Sequence, residues 1–281
     1  MSIELVTKFL PYVDELFTQE SKKSLVTNND FSWDGAHAVR VYSIGTAEMN
    51  DYDRDGTGDN WSRYGAINGL DATTQLMALT KDRSFTFAID AMDEDETIQA
   101  LAATSALARQ LRQVTIPEVD THTYGVIAAG AGTVETEALG VNTDTDYESI
   151  YNAILKASET LDDNYVPETQ RVILMPPSTY TILKQSGVMM ATEIGQEMLL
   201  RGVVAMIDGA LVIRVPTVRL PENCGFIMCH PSATVAPTKL ESLRIHLNPP
   251  GISGSLVEGR IVYDAFVLKN KAKGIYLHLT A

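Results

Sequence analysis

Apolar positions recur along this chain in helical and strand rhythms. At residues 3–17, Val6, Phe9, Leu10, Val13, Leu16 and Phe17 fall at helical spacing, with Pro11 kinking or restarting the helix. Polar residues follow from Thr18 to Asp30, which predicts an arm that needs a neighbour to cover its apolar face. Strand rhythm occurs at Ala38 to Ile44 and again at Ser84 to Asp90, where Phe85, Phe87 and Ile89 alternate with smaller or polar residues. A long helix is predicted from Thr97 to Val114, with Leu101, Leu107, Leu111 and Val114 on one stripe. Acids at 93–96 and the late Arg109 and Arg112 complement its dipole. Pro117 predicts an interruption or kink before the chain reaches Ala128 and Ala129.

Gly130 to Gly140 is rich in small residues and reads as a linker and domain boundary. Tyr147, Ile150, Ile154, Ala157 and Leu161 then mark one face of an amphipathic helix. Arg171 to Met175 predicts a short buried strand, and Pro176-Pro177 opens a helix that Gly187 ends. The apolar runs on either side of Asp208-Gly209 predict a tight hairpin, because a type I′ turn needs positive φ at both central residues. Further strands are expected at Phe226 to Cys229, Leu243 to Leu247, Arg260 to Leu268 and Ile275 to Leu279. The order is mixed α+β, without steady βαβ alternation and without an internal repeat.

One stretch fits none of this. Residues 48–96 carry 12 acids and 4 bases, and Met49 to Gly69 is dominated by Asp, Asn, Gly and Arg. From Asn50 to Ala66 only Tyr52, Trp61 and Tyr64 offer sizeable apolar surface, too little to offset the ordering cost of the backbone unless a neighbour covers it. An excursion this long is a functional loop or a disordered one. Tyr52, Trp61 and Tyr64, with Arg54 at the tip, are the candidate contacts to a neighbour.

Composition narrows the function classes. The chain has 281 residues, enough for one large domain or two modest ones, and its 45% hydrophobic and 21% charged content is ordinary for a soluble protein. A net charge of -14 argues against a dedicated nucleic-acid binder, which shows a basic face. Cys224 and Cys229 are the only cysteines, too few for a disulfide framework, and are expected to be buried free thiols. Neither a secretory leader nor an apolar run of about 18 residues is visible.

Catalytic patterns are missing. No phosphate-binding loop occurs, Glu135 stands where a dinucleotide fingerprint starting at Gly130 needs its third glycine, and Gly251-Ile-Ser253-Gly254 is not a nucleophile elbow. The five histidines (His37, His122, His230, His246 and His278) form no metal pair, and His246 and His278 read as structural. Asp51, Asp53, Asp55 and Asp59, with Gly56, match positions one, three, five, nine and six of a calcium loop. Ser62 replaces the bidentate Glu at position twelve and no amphipathic helices flank the loop, so an acidic turn is the alternative.

Four ordered stretches carry a family resemblance. They are Asp51-Tyr-Asp-Arg54 followed by Lys81 to Asp90; Arg112 to Asp120; Arg171 to Tyr180 with Ile207-Asp-Gly209 and Val215-Pro216; and Arg260 to Val267 with Gly274-Ile-Tyr276. In this order they resemble the major capsid proteins of tailed bacteriophages, which have the Hong Kong 97 fold. The resemblance implies an N-terminal arm at 1–30, an extended loop with its base strands at 31–90, and a spine helix with the first part of a peripheral domain at 91–140. An axial domain at 141–237 and closing peripheral strands at 238–281 complete the division. It implies a coat protein and not an enzyme, with no cofactor, self-assembling into the hexamers and pentamers of an icosahedral head that encloses double-stranded DNA. It also implies a portal and residence in the virion after assembly in a bacterial cytoplasm.

Two departures shape the expectation. Met1 stands only a few dozen residues before the loop, which favours a separate scaffolding protein over a fused one. Lys81 is the sole lysine between Lys23 and Lys156 and lies in the return strand, so no covalent crosslink is assigned. An encapsulin-like nanocompartment shell is the nearest rival, and an α+β hydrolase or calcium-dependent binding module a more remote one.

Overall fold

The computed structural model describes residues 21–28, 38–56, 62–65, 69–92, 103–142, 148–186 and 206–280. The helix expected at 3–17, the acids at 93–96, Asp59, Trp61 and Gly187 lie outside these residues. Residue contacts divide the chain into two compact units, Met1–Asp34 with Leu79–Ala281, and Gly35–Ala78.

The larger unit is organised by two sheets and one long helix. The helix begins as α2 (Ala103–Gln110), widens into a π turn at Leu111–Thr115, and continues as α3 (Ile116–Ala129). Pro117 therefore does not stop it. The Ile116 N–H reaches back to the Leu111 carbonyl, so the helix has changed its hydrogen-bond step just where the proline, lacking an N–H, begins the new segment.

The first sheet runs in the order β12 (Thr238–Leu247), β13 (Gly254–Tyr263), β3 (Lys81–Asp90), all antiparallel. Its inner face packs Phe85, Phe87, Ile89, Ile245 and Val257 with Ala106 and Leu107 of the spine helix. Phe85 lies across Gly259 on the neighbouring strand: a β-carbon there would sit 2.3 Å from the ring, so the glycine is needed for this close approach.

The second sheet has six strands in the order β4 (Thr133–Thr136), β15 (Ile275–Leu279), β10 (Cys224–Cys229), β7 (Val172–Met175), β9 (Ala210–Arg214), β8 (Met206–Ile207). Its central strands β15, β10 and β7 are buried on both faces. Ile173, Met175, Phe226 and Met228 meet α4 (Ile150–Asp163), whose Ile150, Ile154, Ala157 and Leu161 are the predicted stripe, joined by Ala153, while Tyr147 lies outside the described residues. Val172, Leu174, Ile227 and Cys229 face Tyr124, Ile127 and Ala128 from the end of the spine helix. Burial pushes the thiols of Cys224 and Cys229 up to about 12, which makes both inert. The expected hairpin joins β8 to β9, with Asp208 at φ 47° and Gly209 at φ 72°.

Two segments differ from expectation. The small-residue stretch after Gly130 is not a plain linker, because Thr133–Thr136 is a strand pairing in parallel with β15. The end of the arm is docked in its own chain: Val26 of the short helix α1 (Lys23–Val26) is fully buried, and Asn28 pairs with Val235. Ser21 donates to Asp120 at 2.6 Å, and the same buried carboxylate accepts from Arg219 at 2.9 Å. Burial pushes the Asp120 carboxyl up against these opposing contacts.

His278 is structural, as its strand context predicts, and it makes the fold pH-sensitive. Its ring is fully buried, stacks on Phe226 at 5.1 Å, and has no hydrogen-bond partner among the described residues. Burial lowers its pKa from the usual 6.5, against the pull of Glu135 and Glu137. The folded chain thus prefers the neutral ring, so this group's contribution is present above pH 6.5 and is lost as pH falls toward the lowered folded value. Thermal unfolding should show His278→Phe flattening the loss of stability as pH falls below 6.5. An unchanged slope would assign that loss to other groups.

Candidate assembly surface

The smaller unit is a two-stranded ribbon bearing an irregular tip. β1 (Ala38–Ile44) is the expected strand, and β2 (Ala72–Ala78) is its antiparallel partner inside a segment that the sequence left unassigned. The register pairs Arg40 with Leu76, Tyr42 with Thr74 and Ile44 with Ala72, which places these six residues on one face. The opposite face carries Val39 and Val41 with the fully buried Met77.

The first face is the notable one. Tyr42 and Ile44 are each 67% exposed and Leu76 is 61% exposed, a continuous apolar strip on an antiparallel pair. A two-stranded ribbon is marginally stable by itself, and such a strip marks a contact surface. Covering these three side chains would contribute about 1–2 kcal/mol each. Sequence reasoning passed over all three. The available signal was that Val39 and Val41 already supply one apolar face of β1, leaving Tyr42 and Ile44 on the other.

The tip has local order. Asp53 N donates to the Arg63 carbonyl at 2.9 Å, and the Asp53 carboxylate accepts from Gly56 N at 2.8 Å. The latter is a side-chain turn of the kind short acidic residues favour. Tyr52 and Tyr64 meet edge to face with centroids 5.1 Å apart, yet remain 53% and 77% exposed. Two of the four expected contact residues are therefore brought together and left open to solvent. Arg54 is exposed nearby, and Trp61 lies outside the described residues. Among the described residues no group of three or more His, Cys, Asp or Glu side chains is placed to hold a metal ion, while Asp59 lies outside them.

Just past the ribbon the chain is fixed in the larger unit. Thr80 donates both its N–H and its hydroxyl to Asp264, at 2.9 and 2.7 Å, and His122 Nε2 lies 2.9 Å from the other carboxylate oxygen. Burial pushes this carboxyl up, but the bonds from His122, Thr80 and Ala265 outweigh it and hold the group below its ordinary range.

No family model matches the sequence, and no curated protein matches it. Solved structures do. A chain from Mycobacterium phage Che8 aligns over 98% of this chain and 96% of its own, with a TM-score of 0.74 at 17% identity. The capsid structure of the cyanophage P-SCSP1u aligns over 99% and 93%, with a TM-score of 0.75 at 15% identity. The mature capsid of bacteriophage PhiM1 aligns over 100% and 92%, with a TM-score of 0.72 at 12% identity. This is the major capsid protein fold of tailed phages. The mixed α+β fold is thus the one the sequence resemblance implied. Among the described residues, no helix of this capsid fold is long and apolar enough to cross a membrane.

Proposed function

We propose that the chain is the coat subunit of a phage head, self-assembling into hexamers and pentamers of a closed icosahedral shell around double-stranded DNA. The observation that carries this reading is the exposed strip of Tyr42, Ile44 and Leu76 on one face of the two-stranded ribbon. Such a surface is a poor feature for a monomer and a useful one for a subunit whose neighbour covers it. The capsid fold and the acidic balance of -14 support the same reading, since a container for DNA gains nothing by gripping phosphate. A scaffolding protein and a portal are the partners proposed for this assembly, and its place is the virion after assembly in the host cytoplasm. The tip residues Tyr52, Arg54, Trp61 and Tyr64 act as secondary contacts, in an acidic stretch that carries Asp51, Asp53, Asp55 and Asp59.

The test is negative-stain microscopy of purified protein with light scattering across salt and protein concentration. Rings or closed particles are expected. A monomer under all conditions would overturn the proposal, and particles that copurify with a cargo enzyme in place of nucleic acid would favour a nanocompartment shell.

A further inference from the structure

The corner where α4 ends is built against its own backbone preference. Tyr165 N donates to the Asp162 carbonyl at 2.9 Å and Val166 N to the Leu161 carbonyl at 3.0 Å, the paired bonds that close a helix through a left-handed residue. That residue is usually glycine, because a β-carbon is strained there. Here it is Tyr165, at φ 58°, and the residue is 96% exposed. Gln170 at φ 62° and Asp208 at φ 47° repeat the conformation within the same corner.

The corner is nonetheless densely hydrogen-bonded. Arg171, fully buried, donates to the carbonyls of Pro167 at 2.9 Å and Val166 at 2.6 Å, to Ser158 Oγ at 3.2 Å and to Asp162 at 2.5 Å. Ser158 Oγ in turn donates to Asp208 at 2.5 Å, which ties in the tip of the β8–β9 hairpin. A strained residue in so well bonded a corner, with its side chain in water, adds no packing to the core of its own chain. Strain of this kind persists where it serves a contact.

Charge selects the partner. The exposed residues flanking Tyr165 in sequence include the acidic Asp162, Asp163 and Glu168 and no basic residue. Val166 also approaches Gly274, at the end of the turn Lys269–Gly274, whose Lys271 and Lys273 are exposed. The same small region therefore offers an acidic ridge and a cationic turn, side by side, on a chain whose net charge of -14 otherwise opposes association with itself.

We infer that Tyr165 is an anchor residue in a contact with a second copy of this chain, seated where the acidic ridge of one copy meets the Lys271–Lys273 turn of the next. The inference rests on the reading of the chain as a self-assembling subunit, and it adds a contact separate from the ribbon. It predicts effects of opposite kind on stability and assembly. In the full chain, Tyr165→Gly should leave the melting temperature of unassembled subunits unchanged or raise it by about 2 °C. The same variant should raise the protein concentration needed for particles by about tenfold or more. Lys271→Glu with Lys273→Glu should weaken assembly similarly, and adding Asp163→Lys with Glu168→Lys should recover part of the loss. Normal particle formation by Tyr165→Gly would sink this contact alone, as would a fall in melting temperature that accounts for the lost assembly. Lysine reversals without effect would overturn the acidic-to-basic pairing. A wild-type chain that never forms particles would sink the coat-subunit reading, and this contact with it.

Discussion

A variant carrying Tyr42→Ser, Ile44→Ser and Leu76→Ser should fold and fail to form shells. The three side chains share one face of the β1–β2 ribbon and are each about two-thirds exposed, so serine removes apolar surface that the lone subunit scarcely uses. The body's own cores, built around Ile154, Ile173, Ile227 and Val257, contain none of them. Cooperative thermal unfolding should therefore persist. At about 1–2 kcal/mol for each side chain covered, one subunit loses several kcal/mol of contact, enough to shift assembly by more than a hundredfold. Sedimentation velocity would report slow-sedimenting subunits where wild type gives particles. Wild-type particles from the triple variant would mean that this face is not an interface, and a molten variant would mean that the strip belongs to the fold.

The second large effect concerns stability. Arg171→Met should destabilise the unassembled subunit by about 3 kcal/mol, measured by urea unfolding. Arg171 is fully buried, and its loss leaves the carbonyls of Val166 and Pro167 without this donor inside the corner that ends α4. Asp162 adds less, because its side chain is 51% exposed and water can replace the arginine there. Serine at position 158 would keep its bond to Asp208 but lose its tie to the helix end. A change below about 1 kcal/mol would show that the corner holds without its arginine.

Much of this architecture was legible in the residues, for reasons that differ by element. Asp208-Gly209 announced its hairpin because few residue pairs accept positive φ in succession. The stripe Ile150, Ile154, Ala157, Leu161 predicted the face of α4 that meets the sheet, and Phe85, Phe87, Ile89 predicted the inner face of β3. Other features left weaker traces. Thr73, Thr74 and Gln75 hide β2 because a strand that is mostly exposed needs no apolar alternation. Thr133–Thr136 is a four-residue edge strand whose pairing depends on β15, far along the chain, and short edges of this kind carry little local signal. Pro117 was a fair reason to expect a break, and the π turn before it is a tertiary accommodation that propensity does not contain.

The proposed assembly surface divides in the same way. Acidity and scarcity of apolar residues at 48–96 pointed to an excursion that needs a neighbour, and Tyr52 and Tyr64 do meet at its tip. The broader strip of Tyr42, Ile44 and Leu76 was hidden because register decides which face each residue takes. That register became readable only with both strands in place. The docked residues 21–28 show the converse: Val26 looked like part of a free arm but is buried through contacts with the body of the same chain.

Hydrogen exchange on subunits and particles tests the central claim most directly, since it reads the ribbon residue by residue. In unassembled protein the amides of 38–44 and 72–78 should exchange quickly, as expected for a two-stranded ribbon with one face in water. In assembled particles the same amides should become strongly protected, while those of β7 and β10 change little. Equal exchange in the ribbon before and after assembly would contradict the account.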